Sequence, residues 1–147
     1  MGYTHYWNRT ADFTQKEWDK ICFDIFEVIT KYCEPNGIKI VRDKDEDSHP
    51  LINNQQIHLN GYKDEAYETF FVNKKIKNQY FKNFKNGESF DFCKTQRRPY
   101  DMMVMLALLI MKNHASKTFS YSSDGNWNEE WKPAKKIFKE IFKINPS

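Results

Sequence analysis

Ten consecutive apolar residues, Met102 to Met111, constrain this chain more than any other feature. Pro99 stands just ahead of them, where its fixed φ suits the first turn of a helix that continues to about Asn113. A helix that is apolar all round has no face to offer water, so the rest of the chain has to cover it on most sides. Ten residues also fall well short of the roughly 20 that a membrane span requires. The run therefore predicts a central, buried helix. With 147 residues, one core can organise the whole chain, and a single domain over 1–147 is expected.

The flanking patterns supply the other elements. Tyr3 to Asn8 is short and rich in aromatics, which suits a strand with Tyr3, His5 and Trp7 on one face and Thr4, Tyr6 and Asn8 on the other. Thr14-Gln-Lys-Glu17 is a capping-box signature. Trp18, Ile21, Cys22, Ile25, Ile29 and Tyr32 follow it at helical spacing, predicting a first helix from about Gln15 to Cys33 that stops at Glu34-Pro-Asn-Gly37. Further strands are expected over Ile38–Arg42, Gln55–Leu59, Tyr67–Val72, Phe90–Thr95 and Thr118–Ser122. Lys74–Lys85 reads as a short amphipathic helix ending at Asn86-Gly87, and Trp131–Lys143 as a basic amphipathic helix. This order predicts an α+β fold: a mostly antiparallel sheet of about five or six strands with two or three helices packed on one face. The other face is then free for a ligand or a second subunit.

Net charge argues against one class of partner. A formal +3 from 23 basic and 20 acidic residues is far from the basicity of a dedicated duplex-binding domain, although a local anionic ligand remains compatible with it. Cys22 and Cys33 on one helix are separated by about 16 Å of rise, beyond disulfide reach, so a reducing, cytoplasmic setting is expected. The N-terminus has no basic segment followed by an apolar one, and no signal peptide is read. Asp43, Asp45 and Asp47 imitate the start of a calcium loop, but Ser48 stands where Gly belongs and Asn54 where the bidentate Glu belongs. His5, His49, His58 and His114 lack zinc-ligand spacing. No metal, cofactor or catalytic group is assigned, and no Walker loop, dinucleotide fingerprint or nucleophile elbow occurs.

Several motifs occur together: Gly2-Tyr-Thr-His-Tyr-Trp7, Asn60-Gly61 followed by Glu68-Thr-Phe70, Phe92-Cys-Lys-Thr95 with Pro99-Tyr-Asp101, and Ser122-Ser-Asp-Gly125. As a set they resemble a family of small proteins that occurs in bacteriophages and also in bacteria and archaea. The resemblance spans nearly the whole chain. By analogy with small phage anti-defence proteins that sequester or degrade cyclic-nucleotide immune signals, it implies a nucleotide ligand in the host cytoplasm. Gln96-Arg97-Arg98 stands where the family varies among Ala, Arg and Lys, so the choice between Arg97 and Arg98 stays open.

The residues themselves point to an anion. Lys94, Thr95, Arg97 and Arg98 precede a helix start, placing cations beside unpaired backbone N–H groups; the bland alternative pairs both Arg with Asp91 or Asp101. Tyr6, Trp7 and Trp127 are candidate stacking rings, worth about 1 to 3 kcal/mol per base. Thr4, His5, Ser123 and Asp124 complete the candidate ligand set, with His5 equally readable as a satisfied structural residue. The leading expectation is a binding protein that sequesters a nucleotide. Its alternatives are an enzyme using His5, Glu68, Asp101 or Asp124, and a protein-interaction inhibitor of a host factor.

Overall fold

In the computed structural model, residues 2–44, 47–76, 84–85 and 88–147 are described. The apolar run forms helix α2 (Asp101–His114), in which every residue from Met103 to Met111 is buried. Helix α1 (Gln15–Val28) opens on the capping box: Thr14 Oγ1 accepts the Glu17 N–H at 3.1 Å, and the Glu17 carboxylate accepts the Thr14 N–H at 2.9 Å. Its buried face, Trp18, Ile21, Ile25 and Val28, joins the same core as α2. A wider π-type turn, Ile29–Cys33, carries the helix to the residue where the sequence places its end. Helix α3 (Lys132–Phe142) buries Ala134 and Phe138 and ends at Lys143, whose φ of 62° is left-handed.

The α+β class holds, and all strand pairing is antiparallel. Strands β1 (Thr4–Arg9), β2 (Leu51–Ile52), β3 (Gln56–Leu59), β4 (Phe70–Asn73), β5 (Phe84–Lys85), β6 (Glu88–Lys94) and β7 (Phe119–Ser123) are described. The expected single sheet is instead two: a four-stranded sheet in the order β5-β6-β1-β7 and a three-stranded one in the order β2-β3-β4. Every strand was expected to join one layer, but α2 is apolar on all sides and a single sheet covers a helix from one side only. Ile38–Arg42 does not extend as a strand; Val41 makes one bridge, to Asn60. The proposed Lys74–Lys85 helix and its Asn86-Gly87 stop lie largely outside the described residues, as does Asp45 of the acidic loop.

Arg9 ties the two sheets together. Its guanidinium is buried, donates to the Asn73 carbonyl at 2.5 Å and the Lys74 carbonyl at 2.7 Å, and lies 4.0 Å over the Phe13 ring. Burial lowers its pKa to about 10, opposed by the charges of Asp12 and Asp91. The three cysteines are free, as the helical spacing of Cys22 and Cys33 requires. Among the described residues no helix is long and apolar enough to cross a membrane, and no cluster of His, Cys, Asp and Glu could hold a metal ion.

His58 on β3 packs 4.2 Å from the Phe71 ring, and its Nε2 is buried without a hydrogen-bond partner. Burial, then repulsion from Arg42, lowers its pKa. The folded state therefore favours the neutral ring. Stability should begin to fall as the pH drops below about 6.5, where the unfolded chain's imidazole takes up a proton, and should level off below the depressed folded value. Urea midpoints between pH 7.5 and 5 check this: the decline should be shallower in His58→Gln, and an equal decline in both proteins refutes it.

Candidate functional site

Strand alternation builds the site at one end of the four-stranded sheet. Thr4 pairs with Lys94, while His5 pairs with Cys93 on one side and Ser123 on the other. Tyr3, His5 and Trp7 point into the core, as the period of two requires, and the opposite residues face outward.

Beneath the sheet end lies a buried polar network. The Asp101 carboxylate, at the first turn of α2, lies 2.6 Å from His5 Nε2 and accepts the Thr95 hydroxyl at 2.5 Å. A carboxylate only accepts, so the ring proton sits on Nε2, and in the neutral ring Nδ1 accepts from the Ser123 hydroxyl at 2.8 Å. Ser123 Oγ in turn accepts the Gly125 N–H at 2.9 Å. Tyr3 and Trp131 hold the imidazole edge-on at 5.1 and 5.4 Å, and His5 is 0% exposed. Burial, then the Asp101 charge, pushes the Tyr3 phenol up, so it stays protonated. The order Ser-His-Asp is that of a hydrolytic relay, and the same bonds join three separate elements. This arrangement positions β1, β7 and α2.

Above the network Asp124 and Lys94 are exposed and Tyr6 and Glu68 half-buried, while Thr4 is itself buried. Asp124 accepts the Thr4 N–H at 3.0 Å and the Tyr6 hydroxyl at 3.1 Å, and its own N–H donates to the Thr4 carbonyl at 2.9 Å. Lys94 donates its N–H to the Glu68 carboxylate at 2.8 Å and accepts the Glu68 N–H at 3.1 Å. The Tyr100 hydroxyl donates to the Glu68 carbonyl, which locks this connection from below. Glu68 then opens onto a groove of about 660 Å³, where Arg98, Lys63 and Lys44 meet Asp64 and the Tyr67 ring. The turn into α2 takes left-handed backbone at Gln96 and Arg97, with φ of 49° and 59°. Arg97 lies 4.0 Å over the Tyr3 ring and 3.5 Å from Glu130, whereas Arg98 is exposed and lines the groove.

Thr4, His5, Lys94, Thr95, Ser123 and Asp124 thus come together at the sheet end, with Tyr6 on the outer face beside Asp124 and Arg98 in the adjoining groove. Thr95 and His5 are fully buried and hold Asp101 instead of facing a ligand. Trp7 belongs to the core, 5.1 Å from Phe70. Trp127 stands in another cluster with Tyr121 and Trp131, with the Lys135 ammonium 4.4 Å over its ring.

Sequence reasoning missed Lys63 and Lys44, which reach the groove from two separate loops, and read Tyr67 as the start of a strand that begins only at Phe70. It also missed the outer-face rings Phe90 and Phe92, although their alternation with Asp91 and Cys93 marks them. No protein-family profile, curated protein or solved structure matches this chain.

Proposed function

We propose that this protein captures a nucleotide and holds it intact, a phage-type sequestering protein for a cyclic-nucleotide signal. The groove at Arg98 carries the reading. Its three cations, Arg98, Lys63 and Lys44, outnumber its two carboxylates, Asp64 and Glu68, and leave a net positive floor for phosphate. Arg98 offers a planar fork for bidentate phosphate contact, and the 40% exposed Tyr67 ring stands at the same groove for a base. A volume near 660 Å³ is in the range of small-ligand sites.

Calorimetry against cyclic dinucleotides, cyclic trinucleotides and cyclic ADP-ribose isomers tests the proposal, with the ligand recovered after denaturation. One member of the panel should bind and come back intact. Arg98→Glu should weaken it about 10- to 100-fold, the worth of one charge-assisted contact. Binding should also decline with added salt. Absence of binding across the panel refutes the reading, and a cleaved product turns it into the enzymatic alternative.

A further inference from the structure

The outer face of the four-stranded sheet carries groups that the Arg98 groove does not use. On β6, Glu88, Phe90, Phe92 and Lys94 point outward in alternation with buried Ser89, Asp91 and Cys93. Phe90 and Phe92 are 36% and 42% exposed. Tyr6 of β1 stacks with Phe90, with centroids 6.2 Å apart and planes at 21°, and the Phe90 and Phe92 centroids are 6.5 Å apart. Asn8, Ser120 and Ser122 lie on the same side of their strands.

Three features identify the occupant. Every large apolar group described on this face is an aromatic ring, with no Leu, Ile, Val or Met among them, and a flat ring is the surface on which a base stacks. The rings are bordered by hydroxyls and an amide, which pair with base edges. The cations lie to one side: Lys94 follows Phe92 by two residues, about 7 Å along the strand, and bonds through its backbone to Glu68 at the mouth of the Arg98 groove. A phosphodiester leaving the rings in that direction runs toward positive charge.

We propose that this face is a stacking platform for a ligand of at least two phosphodiester-linked bases, with one base on Phe90 and Phe92 and the connecting phosphate directed toward Lys94 and the groove. This extends the nucleotide reading and rests on it, since the groove supplies the phosphate site. A second copy of the chain fits less well, because pairing two such faces would bring the Glu88 and Asp124 carboxylates of both copies under cover.

The test compares adenosine monophosphate, linear diadenylate, linear triadenylate and cyclic diadenylate by calorimetry on the wild type and on Phe90→Ala/Phe92→Ala. The double variant gives up the Tyr6–Phe90 stack and should melt a few degrees lower while remaining folded, which its melting curve and its mononucleotide affinity both check. In the wild type, going from one base to two should tighten binding about 5- to 150-fold, the worth of one stacked base. The double variant should lose that gain and keep its affinity for the mononucleotide. Whether the linear or the cyclic form gains more separates single strands from cyclic signals as the source. Mononucleotide binding with no gain at two bases, or a gain that survives the double variant, overturns the platform and leaves the groove reading intact. Absence of binding to all four ligands in the wild type counts against the groove reading and the platform together. A concentration-dependent dimer that the double variant abolishes assigns the face to a second copy and also overturns the platform.

Discussion

Replacing Asp101 by Ala should destabilise the fold by about 3 to 5 kcal/mol, a large part of the 5 to 15 kcal/mol that holds a domain of this size. The carboxylate accepts from two buried groups at once, His5 Nε2–H and the Thr95 hydroxyl. Removing it leaves both donors without a partner, and an unsatisfied buried donor costs about 1 to 3 kcal/mol. His5 cannot turn to solvent for compensation, because Tyr3 and Trp131 hold its ring edge-on. Asp101→Asn keeps a carbonyl for His5 and should cost about 1 kcal/mol. Urea denaturation of the three proteins measures the difference as a shift in midpoint at unchanged slope. A loss below 1 kcal/mol for Asp101→Ala would show that the network adds little to stability.

Gly61→Ala should be nearly as damaging and should also disable the groove. A Cβ at this position meets Glu65 O at 2.2 Å and Glu65 C at 2.7 Å, both backbone atoms that cannot rotate away. The loop from Tyr62 to Tyr67 has little room to yield. Asn60 Oδ1 accepts the Gly61 N–H at 2.8 Å and the Tyr67 N–H at 3.2 Å, while its Nδ2 donates to the Tyr67 carbonyl and to Thr69 Oγ1. The clash must break some of these bonds or displace Lys63, Tyr67 and Glu68, which line the groove. A loss of about 2 to 3 kcal/mol is expected from overpacking alone. The nucleotide affinity proposed for the groove should fall with it, while the outer-face rings on β6 stay in place. Thermal melting and calorimetry on the purified variant check both parts, and wild-type values in both would show that the loop gives way freely.

Much of the local architecture was legible in the chain. The Met102–Met111 run announced a covered helix because each of its faces is apolar. Thr14 and Glu17 marked the start of α1 because two orphan N–H groups need those two side chains at that spacing. The alternation in Tyr3 to Asn8 predicted that His5 and Trp7 share a face, and that face proved to be the core. The same alternation was available at Phe90 to Lys94, where it places two phenylalanines and a lysine outward. Local pattern failed where length and contact were short: Val41 makes one bridge instead of a strand, the short β2 and β5 carry no signal, and the strands expected in one layer divide into two sheets.

The candidate site divides along the same line. Motif residues at Thr4, Lys94 and Asp124 could be singled out individually, because cations, hydroxyls and carboxylates at strand ends are visible in sequence. Their meeting could not be read there. His5 finds Ser123 and Asp101 at separations of 118 and 96 residues, through strand pairing and the seat of α2 against the sheet. The sequence by itself determined which residues turn inward along each strand and helix, since that follows from backbone periodicity. Only the tertiary structure decided that buried His5 would be bound at both nitrogens and that Arg98, Lys63 and Tyr67 would share a groove. Contacts between distant segments depend on how whole elements pack, and no local period encodes that packing.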